Sequence, residues 1–161
     1  MFLYNECGYL HLAGKMETIE QLESVEIFDG LSKQELLQIA AICSVVEFKA
    51  GEKITVQDSD GDDLFIIAAG FVEVNVQLRD GSPKSIVNLG PGQLIGEMAL
   101  IDRGPRSATV IALNQPTILY RIVQQDFEAL CSQNTKIGYI VIRNLAIDLS
   151  FKLRHQNLQN L

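Results

Sequence analysis

The residues that could do chemistry are concentrated in one stretch, residues 96–110, which reads Gly-Glu-Met-Ala-Leu-Ile-Asp-Arg-Gly-Pro-Arg-Ser-Ala-Thr-Val. Gly96 allows a tight backbone turn, and the residues after it can form a short helical turn whose free N–H groups attract an anion. Pro105 fixes the backbone just before Arg106, whose guanidinium suits a phosphate in bidentate geometry. Ser107 adds a hydroxyl donor. The stretch therefore has the components of a small phosphate site.

Glu97 narrows the kind of phosphate ligand that this stretch would suit. A carboxylate beside a phosphate repels it, so Glu97 fits the site if it accepts a hydrogen bond from a hydroxyl on the same ligand. A ligand with both a phosphate and a sugar hydroxyl is a nucleotide. The alternative is a surface loop in which a glutamate and an arginine form a solvated ion pair, which contributes little. The two residues taken alone leave that alternative open.

The rest of the chain must supply the elements that position this stretch. Short β-rich runs closed by glycine, proline or aspartate turns are typical of a closed antiparallel barrel or jelly roll. A Ser32-x-x-Glu35 capping box predicts a helix of about three turns before them. Helical periodicity returns after the last run and predicts helices at 124–132 and 135–158. The predicted strands are residues 45–48, 53–56, 63–69, 71–78, 84–89, 107–114 and 117–122.

The whole fifteen-residue stretch resembles the phosphate-binding cassette of the cyclic-nucleotide-binding domain family of the Crp-Fnr type. The match comprises Gly-Glu-Met-Ala-Leu at 96–100 and Pro-Arg-Ser-Ala-Thr-Val at 105–110, and the resemblance extends from about Phe28 to the end of the long helix. It implies a mainly β fold, a jelly-roll β-roll at about 44–122 with an N-terminal helix and two C-terminal helices at about 124–158. The expected organisation is an extension and short helix at 1–26 followed by the binding domain at 27–161.

The resemblance also implies a role for each matching residue. Arg106 would pair with the cyclic phosphate, helped by Ser107 and the backbone N–H of Ala99. Glu97 would accept a hydrogen bond from the ribose 2′-hydroxyl. Further ligand-binding positions are Gly96 and Met98 beside the sugar, Ala108 next to the cassette serine, and an apolar wall beneath the base formed by Val74, Ile86, Val87 and Ile95.

The predicted function is a cyclic-nucleotide sensor or regulatory domain that transmits ligand occupancy through its long C-terminal helix. A serine after the cassette arginine favours cyclic AMP, and cyclic GMP is the other candidate ligand. The family's adenine contacts from the long helix fall near Lys152 and Leu153, which cannot repeat them, so the base preference stays open. The alternative is a degenerate domain that acts as a dimerisation or protein-interaction module without nucleotide. The intact Glu97 and Arg106 argue against it.

Composition and charge count against several other classes. The net charge of −7 is unfavourable for a nucleic-acid-binding face, and no apolar run approaches the roughly 20 residues that span a bilayer. His11 and His155 lie outside the predicted strands, so a metal-dependent enzyme built on a similar roll would lack its ligands. We therefore expect neither a metal site nor an enzyme. Cys7, Cys43 and Cys131 have no disulfide or metal spacing, and the last two are expected to be buried thiols of a cytoplasmic protein.

The long helix has apolar residues on nearly every face, which indicates burial from more than one side. One face can cover the roll, and a row at 4-3-4 spacing, Ile142, Ala146, Leu149 and Leu153, would suit the same helix of a second copy. A homodimer is the expected assembly, and a helix that is entirely core is the alternative. With no helix-turn-helix region after the helix, the expected partner is an unknown effector protein rather than DNA. Met16 is a candidate natural start, with a variable extension before it.

Overall fold

A computed structural model describes residues 18–114 and 116–159. The hypothesis about Met16 and the residues before it lies outside these ranges, as does Cys7. The helices follow the predicted order, and none of those in the described ranges combines the length and apolar character needed to cross a bilayer. They are α1 (residues 18–23), a 3₁₀ turn η1 (Glu26–Phe28), α2 (Lys33–Ile42), α3 (Gln124–Gln133) and α4 (Thr135–Gln159), with a second 3₁₀ turn, η2 (Glu97–Leu100), inside the cassette.

Between α2 and α3 the chain forms two antiparallel sheets, which confirms the predicted mainly β roll with flanking helices. One sheet has the strand order 1-8-3-6 and the other 2-7-4-5, so each contains strands from both halves of the roll. The shortest strand, which has two residues, was not predicted because it is too short to show an alternating pattern. The strands are β1 (Cys43–Phe48), β2 (Lys53–Thr55), β3 (Asp63–Ala69), β4 (Val72–Gln77), β5 (Pro83–Leu89), β6 (Leu94–Ile95), β7 (Thr109–Ala112) and β8 (Thr117–Val123).

Strand β3 separates two hydrophobic clusters, because its alternate side chains point to opposite faces of the sheet. Leu64 and Ile66 pack with the helices, whereas Phe65 and Ile67 face the interior of the roll. Helix α4 contributes to the first cluster through Ile137, Val141 and Leu145, all three of which are fully buried. The helix is therefore attached to the roll along its first half. Its second half extends towards the cassette.

The two cysteines in the described ranges, Cys43 and Cys131, are free thiols. Both were predicted to be buried, and each is partly buried. Burial raises the pKa of Cys43 to about 12. Cys131 lies in α3, where its pKa is also raised by burial and by the nearby Glu128. Both thiols are therefore protonated at neutral pH and are weak nucleophiles.

The predicted capping box at the start of α2 is present and is connected to α4. The backbone N–H of Glu35 donates to the hydroxyl of Ser32 at 3.3 Å, and the Ser32 N–H donates to the Glu35 carboxylate at 2.8 Å. Lys136 in α4 places its ammonium 2.9 Å from the same carboxylate. The hydrogen bonds from Lys136 and Ser32 lower the pKa of Glu35 to about 2. This cluster connects the helix before the roll to the helix after it.

We expect the free energy of unfolding to fall when the pH is lowered from about 5 towards 2. A carboxyl group whose pKa is depressed in the folded state stabilises the fold above its unfolded pKa and loses that contribution as it is protonated. Urea unfolding at pH 7 and pH 3.5 should show a smaller loss of stability in Glu35→Gln than in the wild type. Glu47→Gln, at an exposed position of β1, is the control and should keep the full acid sensitivity. An equal acid loss in Glu35→Gln and the wild type would contradict the assigned role.

Candidate functional site

The cassette opens onto a cavity of about 300 Å³ between the second sheet, the β6–η2 turn and α4, which we call the roll cavity. Its wall contains most of the residues that the sequence selected as ligand-binding. Ser107 and Met98 are exposed on its rim, and Ala99 follows Met98 in η2. The selected residues that line it are Val74, Val87, Ile95, Gly96, Glu97, Met98, Arg106, Ser107 and Ala108.

Among the selected residues whose side chains the structure describes, Ile86 is the one that does not line this cavity. It is 50% exposed and lies where the pairing of β4 with β5 shifts register, between the pairs Val74–Val87 and Asn75–Ser85. Val87 lines the cavity, whereas Ile86, the unpaired residue at this shift, does not. The sequence pattern of β5 cannot reveal this, since both residues are apolar.

Arg106 is the central cation of the site and is only 8% exposed. Its Nη1 donates to the backbone carbonyl of Asp63 at 2.8 Å, and its guanidinium carbon lies 6.0 Å from the centre of the Phe65 ring. Within the ranges that the structure describes, no carboxylate forms an ion pair with it. Burial lowers the pKa of Arg106, opposed by the charges of Asp63 and Asp62, but a guanidinium stays protonated in proteins. A buried cation at a cavity wall is suited to an anionic ligand.

Two glycines leave the space that the Arg106 side chain occupies. A Cβ at Gly61 would overlap Nε of Arg106, and a Cβ at Gly96 would overlap its Nη1. Gly96 also has φ +75°, a left-handed conformation that side-chain-bearing residues rarely adopt. The sequence identified Gly96 but not Gly61, which lies in a turn rich in aspartate. The sequence offers no signal for the role of Gly61 beyond the fact that a glycine stands in that turn.

Asp63 supports the arginine from the other side of this turn. Its backbone carbonyl accepts the Arg106 hydrogen bond, and its carboxylate accepts one from Nε of Arg121 in β8. Burial, the largest single influence, raises the pKa of the Asp63 carboxyl, but the hydrogen bonds from Arg121 and Asp62 and the charges of Arg121 and Arg106 together lower it overall. The carboxylate is thus held by Arg121 and leaves Arg106 available to a ligand. Sequence reasoning missed both supporting residues.

Helix α4 reaches the cavity through Lys152. The Lys152 ammonium lies 3.0 Å from Oε1 of Glu97 and 2.8 Å from Oδ2 of Asp148, one turn earlier in the helix. Burial opposes the charged form, but hydrogen bonds to Asp148 and the attraction of Glu97 raise the pKa of Lys152 above its usual value. The sequence treated position 152 only as unable to repeat a base contact. In the structure it joins the proposed ribose-binding carboxylate to the long helix.

The arrangement is suited to binding rather than to bond cleavage. The cavity presents one buried guanidinium, one carboxylate neutralised by a lysine, a serine hydroxyl and an apolar wall. In the described ranges, no three histidine, cysteine, aspartate or glutamate side chains are grouped so as to hold a metal ion. Such a set can neutralise an anion, accept from a hydroxyl and pack against a flat apolar group.

Comparisons with known proteins point to one family. A family model described as cyclic nucleotide-binding domain matches residues 45–134. The chain is 31% identical over 133 residues to the Cyclic AMP receptor protein of Thermus thermophilus, covering 83% of this chain and 59% of that protein. It is 34% identical over 137 residues to Glutaminase 1 of Bradyrhizobium diazoefficiens, covering 85% of this chain and 21% of that protein.

The fold comparison agrees with the sequence comparison. The crystal structure of the Thermus thermophilus catabolite activator protein superposes with a TM-score of 0.75 at 30% identity, covering 83% of this chain and 61% of that one. The chain thus spans about three fifths of one curated relative and about one fifth of the other. The shared part contains the roll, the cassette and the helix that follows the strands.

Proposed function

The chain belongs to the cyclic nucleotide-binding domain family, and we propose that it binds cyclic AMP in the roll cavity and signals occupancy through α4. The observation that carries the proposal is Arg106, a buried guanidinium at the wall of that cavity that forms no ion pair with a carboxylate of the described residues. Domains of this type are regulatory, and we propose that this protein is not an enzyme. The match to Glutaminase 1, which covers 21% of that protein, does not carry an enzyme assignment to this chain.

The bound ligand would contact the cavity from its phosphate to its base. Arg106 would bind the cyclic phosphate, with Ser107 and the N–H of Ala99 as further donors, and Glu97 would accept from the ribose 2′-hydroxyl. Gly96 and Met98 would lie beside the sugar. The apolar residues available beneath the base are Val74, Val87 and Ile95. Cyclic AMP is proposed over cyclic GMP because Ser107 follows the arginine and because one relative is named a cyclic AMP receptor.

Isothermal titration calorimetry of the ligand-stripped protein with cyclic AMP and cyclic GMP in parallel tests this function. We expect a dissociation constant of about a micromolar or less for cyclic AMP and weaker binding of cyclic GMP. Tighter binding of cyclic GMP would contradict the assignment of cyclic AMP as the ligand but would still support a cyclic-nucleotide sensor. The absence of heat for both ligands at two temperatures, with a folded protein, would favour the alternative of an interaction module without nucleotide.

The proposed signal depends on Lys152, because a ligand biases only states that it binds unequally. The Lys152–Glu97 pair exists when α4 lies against the cassette. The ammonium neutralises part of the Glu97 charge, which otherwise repels the cyclic phosphate, and it holds the carboxylate in place. Ligand binding and the closed position of α4 should therefore favour each other.

Lys152→Met should weaken cyclic AMP binding by about 2- to 5-fold, the range of a partly exposed ion pair. The loss caused by replacing cyclic AMP with 2′-deoxy cyclic AMP should be smaller in this variant, because Glu97 is no longer held. Calorimetry of both proteins with both ligands gives the coupling free energy directly. Lys84→Met, at an exposed position of β5, is the control. Identical 2′-deoxy losses in Lys152→Met and the wild type would contradict the coupling.

We also propose that the protein forms a homodimer through one row of α4 side chains, Ile142, Ala146, Leu149 and Leu153. Ile142 is 37% and Leu153 59% exposed, whereas Leu149, which lies between them in the row, packs partly against the core. Sedimentation equilibrium should give a dimer for the wild type and a monomer for Leu153→Asp, since a charge at an apolar helix seam is destabilising. A monomeric wild type at micromolar concentration would refute the proposal.

The proposed location is the cytoplasm, where free thiols such as Cys43 and Cys131 persist. We propose that the output goes to an effector protein, because a net charge of −7 disfavours direct contact with DNA. Cell fractionation tests the location. Binding of the protein to labelled duplex DNA at physiological salt would overturn the second point.

A further inference from the structure

A second cavity, of about 880 Å³, lies beside α4 and adjoins the roll cavity, with which it shares Gln93, Leu94 and Lys152. Its walls are the segment around η1 (Ser24–Asp29), the loop Pro91–Leu94 and one side of α4; we call it the α4 groove. Asn144 fixes the η1 wall to the helix, since its Nδ2 donates to the carbonyls of Ile27 at 3.2 Å and Asp29 at 2.9 Å. The groove is thus a formed surface feature, with a size in the range of pockets that hold ligands.

The helix side of the groove presents two large apolar side chains to solvent. Ile147 is 53% and Phe151 61% exposed, and they are neighbours one turn apart. Because an α-helix turns by about 100° per residue, this pair lies roughly 150° around α4 from the proposed dimer row. A partner helix that covers the row leaves Ile147 and Phe151 uncovered. In such a dimer the two side chains stay available to a different partner.

The charges around the groove define that partner's chemistry. Glu26 and Asp29 are exposed on the η1 wall, and Asp148 lies on the helix wall. Lys152 is the one cation among the groove's described lining residues, and it is already engaged by Asp148 and Glu97. An acidic segment would be repelled, whereas lysine or arginine side chains would find unengaged carboxylates beside an apolar surface.

We propose that the α4 groove binds a short basic segment of a partner protein, with a large apolar side chain packed against Ile147 and Phe151. Lysine or arginine side chains of that segment reach Glu26 and Asp29. Lys152 and Leu94 line both this groove and the roll cavity. Occupancy of one space therefore affects the other, and this coupling, unlike the docking itself, rests on the proposed function.

The test is selection of a displayed random peptide library on the full chain without nucleotide. Enriched peptides should combine lysine or arginine with a large apolar residue and, as labelled synthetic peptides, should bind with micromolar affinity by fluorescence anisotropy. Phe151→Asp should weaken them at least tenfold, and Glu26→Gln should weaken them measurably without altering the helix. Val45→Asp, at a 65% exposed position of β1, is the matched control and should bind as the wild type does.

No enriched peptide, an acidic consensus, or equal binding by Phe151→Asp and the wild type would overturn the proposal. A change of oligomeric state in Phe151→Asp would also overturn it in favour of a second copy of this chain as the occupant. Repeating the anisotropy with cyclic AMP separates the two proposals. A peptide affinity that cyclic AMP leaves unchanged refutes the coupling, and a protein that binds peptide but gives no calorimetric signal refutes the nucleotide function alone.

Discussion

Replacing Arg106 by alanine should reduce the affinity for cyclic AMP by about 100-fold or more, because truncating one partner of a buried charge pair costs about 2–5 kcal/mol. Lys152, the other cation among the described lining residues, cannot take its place, since it is engaged by Glu97 and Asp148. The fold should remain, because the variant loses the hydrogen bond to the Asp63 carbonyl and the contact with the Phe65 ring but no longer has to bury a cation. Calorimetry and urea unfolding of the same preparation measure both effects.

Two further arginine variants make this expectation specific. Arg79→Ala removes the same charge from an exposed position in the turn between β4 and β5 and should leave binding unchanged. Arg106→Lys keeps the charge but loses the planar fork, so its affinity should fall between those of the wild type and Arg106→Ala. If Arg106→Ala bound cyclic AMP as tightly as the wild type, Arg106 would not be a ligand-binding residue. A similar loss of affinity in Arg79→Ala would mean that the effect comes from long-range electrostatics and not from a direct contact.

The sequence located the cassette and most of the roll because both are encoded locally. Strand β3 was predicted with the bounds that the structure has, Asp63–Ala69, since a run of apolar residues between two turns marks a strand buried on both faces. The strand predicted at 107–114 was too long, since β7 is Thr109–Ala112. Its first residues, Ser107 and Ala108, line the cavity, and the Arg106 backbone instead pairs with the turn residues Asp58 and Ser59.

The support of the site could not be predicted, because it depends on contacts between distant parts of the chain. Arg106 meets Gly61 and Asp63 more than 40 positions away, and Lys152 meets Glu97 across 55 positions. Spacing within a motif carries no information about such contacts. The aspartate-rich turn before β3 has the composition of an ordinary solvated loop, and only the folded chain shows that it carries the arginine.

The close packing of Gly96 against Arg106 predicts that Gly96→Ala also has a large effect on ligand affinity. A Cβ at this position overlaps Nη1 of Arg106 and lies 2.9 Å from the Asp63 carbonyl oxygen, so the guanidinium must move. A displacement of about 1 Å at a binding group is enough to lose most of its contribution, and we expect at least a tenfold loss of cyclic AMP affinity. The positive φ should also lower the free energy of unfolding by about 1–2 kcal/mol.

Gly81→Ala separates these two consequences. Gly81 has φ +84°, close to the +75° of Gly96, but a Cβ there has no neighbour within 4 Å. The control should therefore lose a similar amount of stability in urea unfolding and none of its affinity in calorimetry. Gly61→Ala is the converse, because its Cβ would overlap Nε of Arg106 at a position without positive φ. If Gly61→Ala and Gly96→Ala both bound cyclic AMP as tightly as Gly81→Ala, the position of the Arg106 side chain would not control the site.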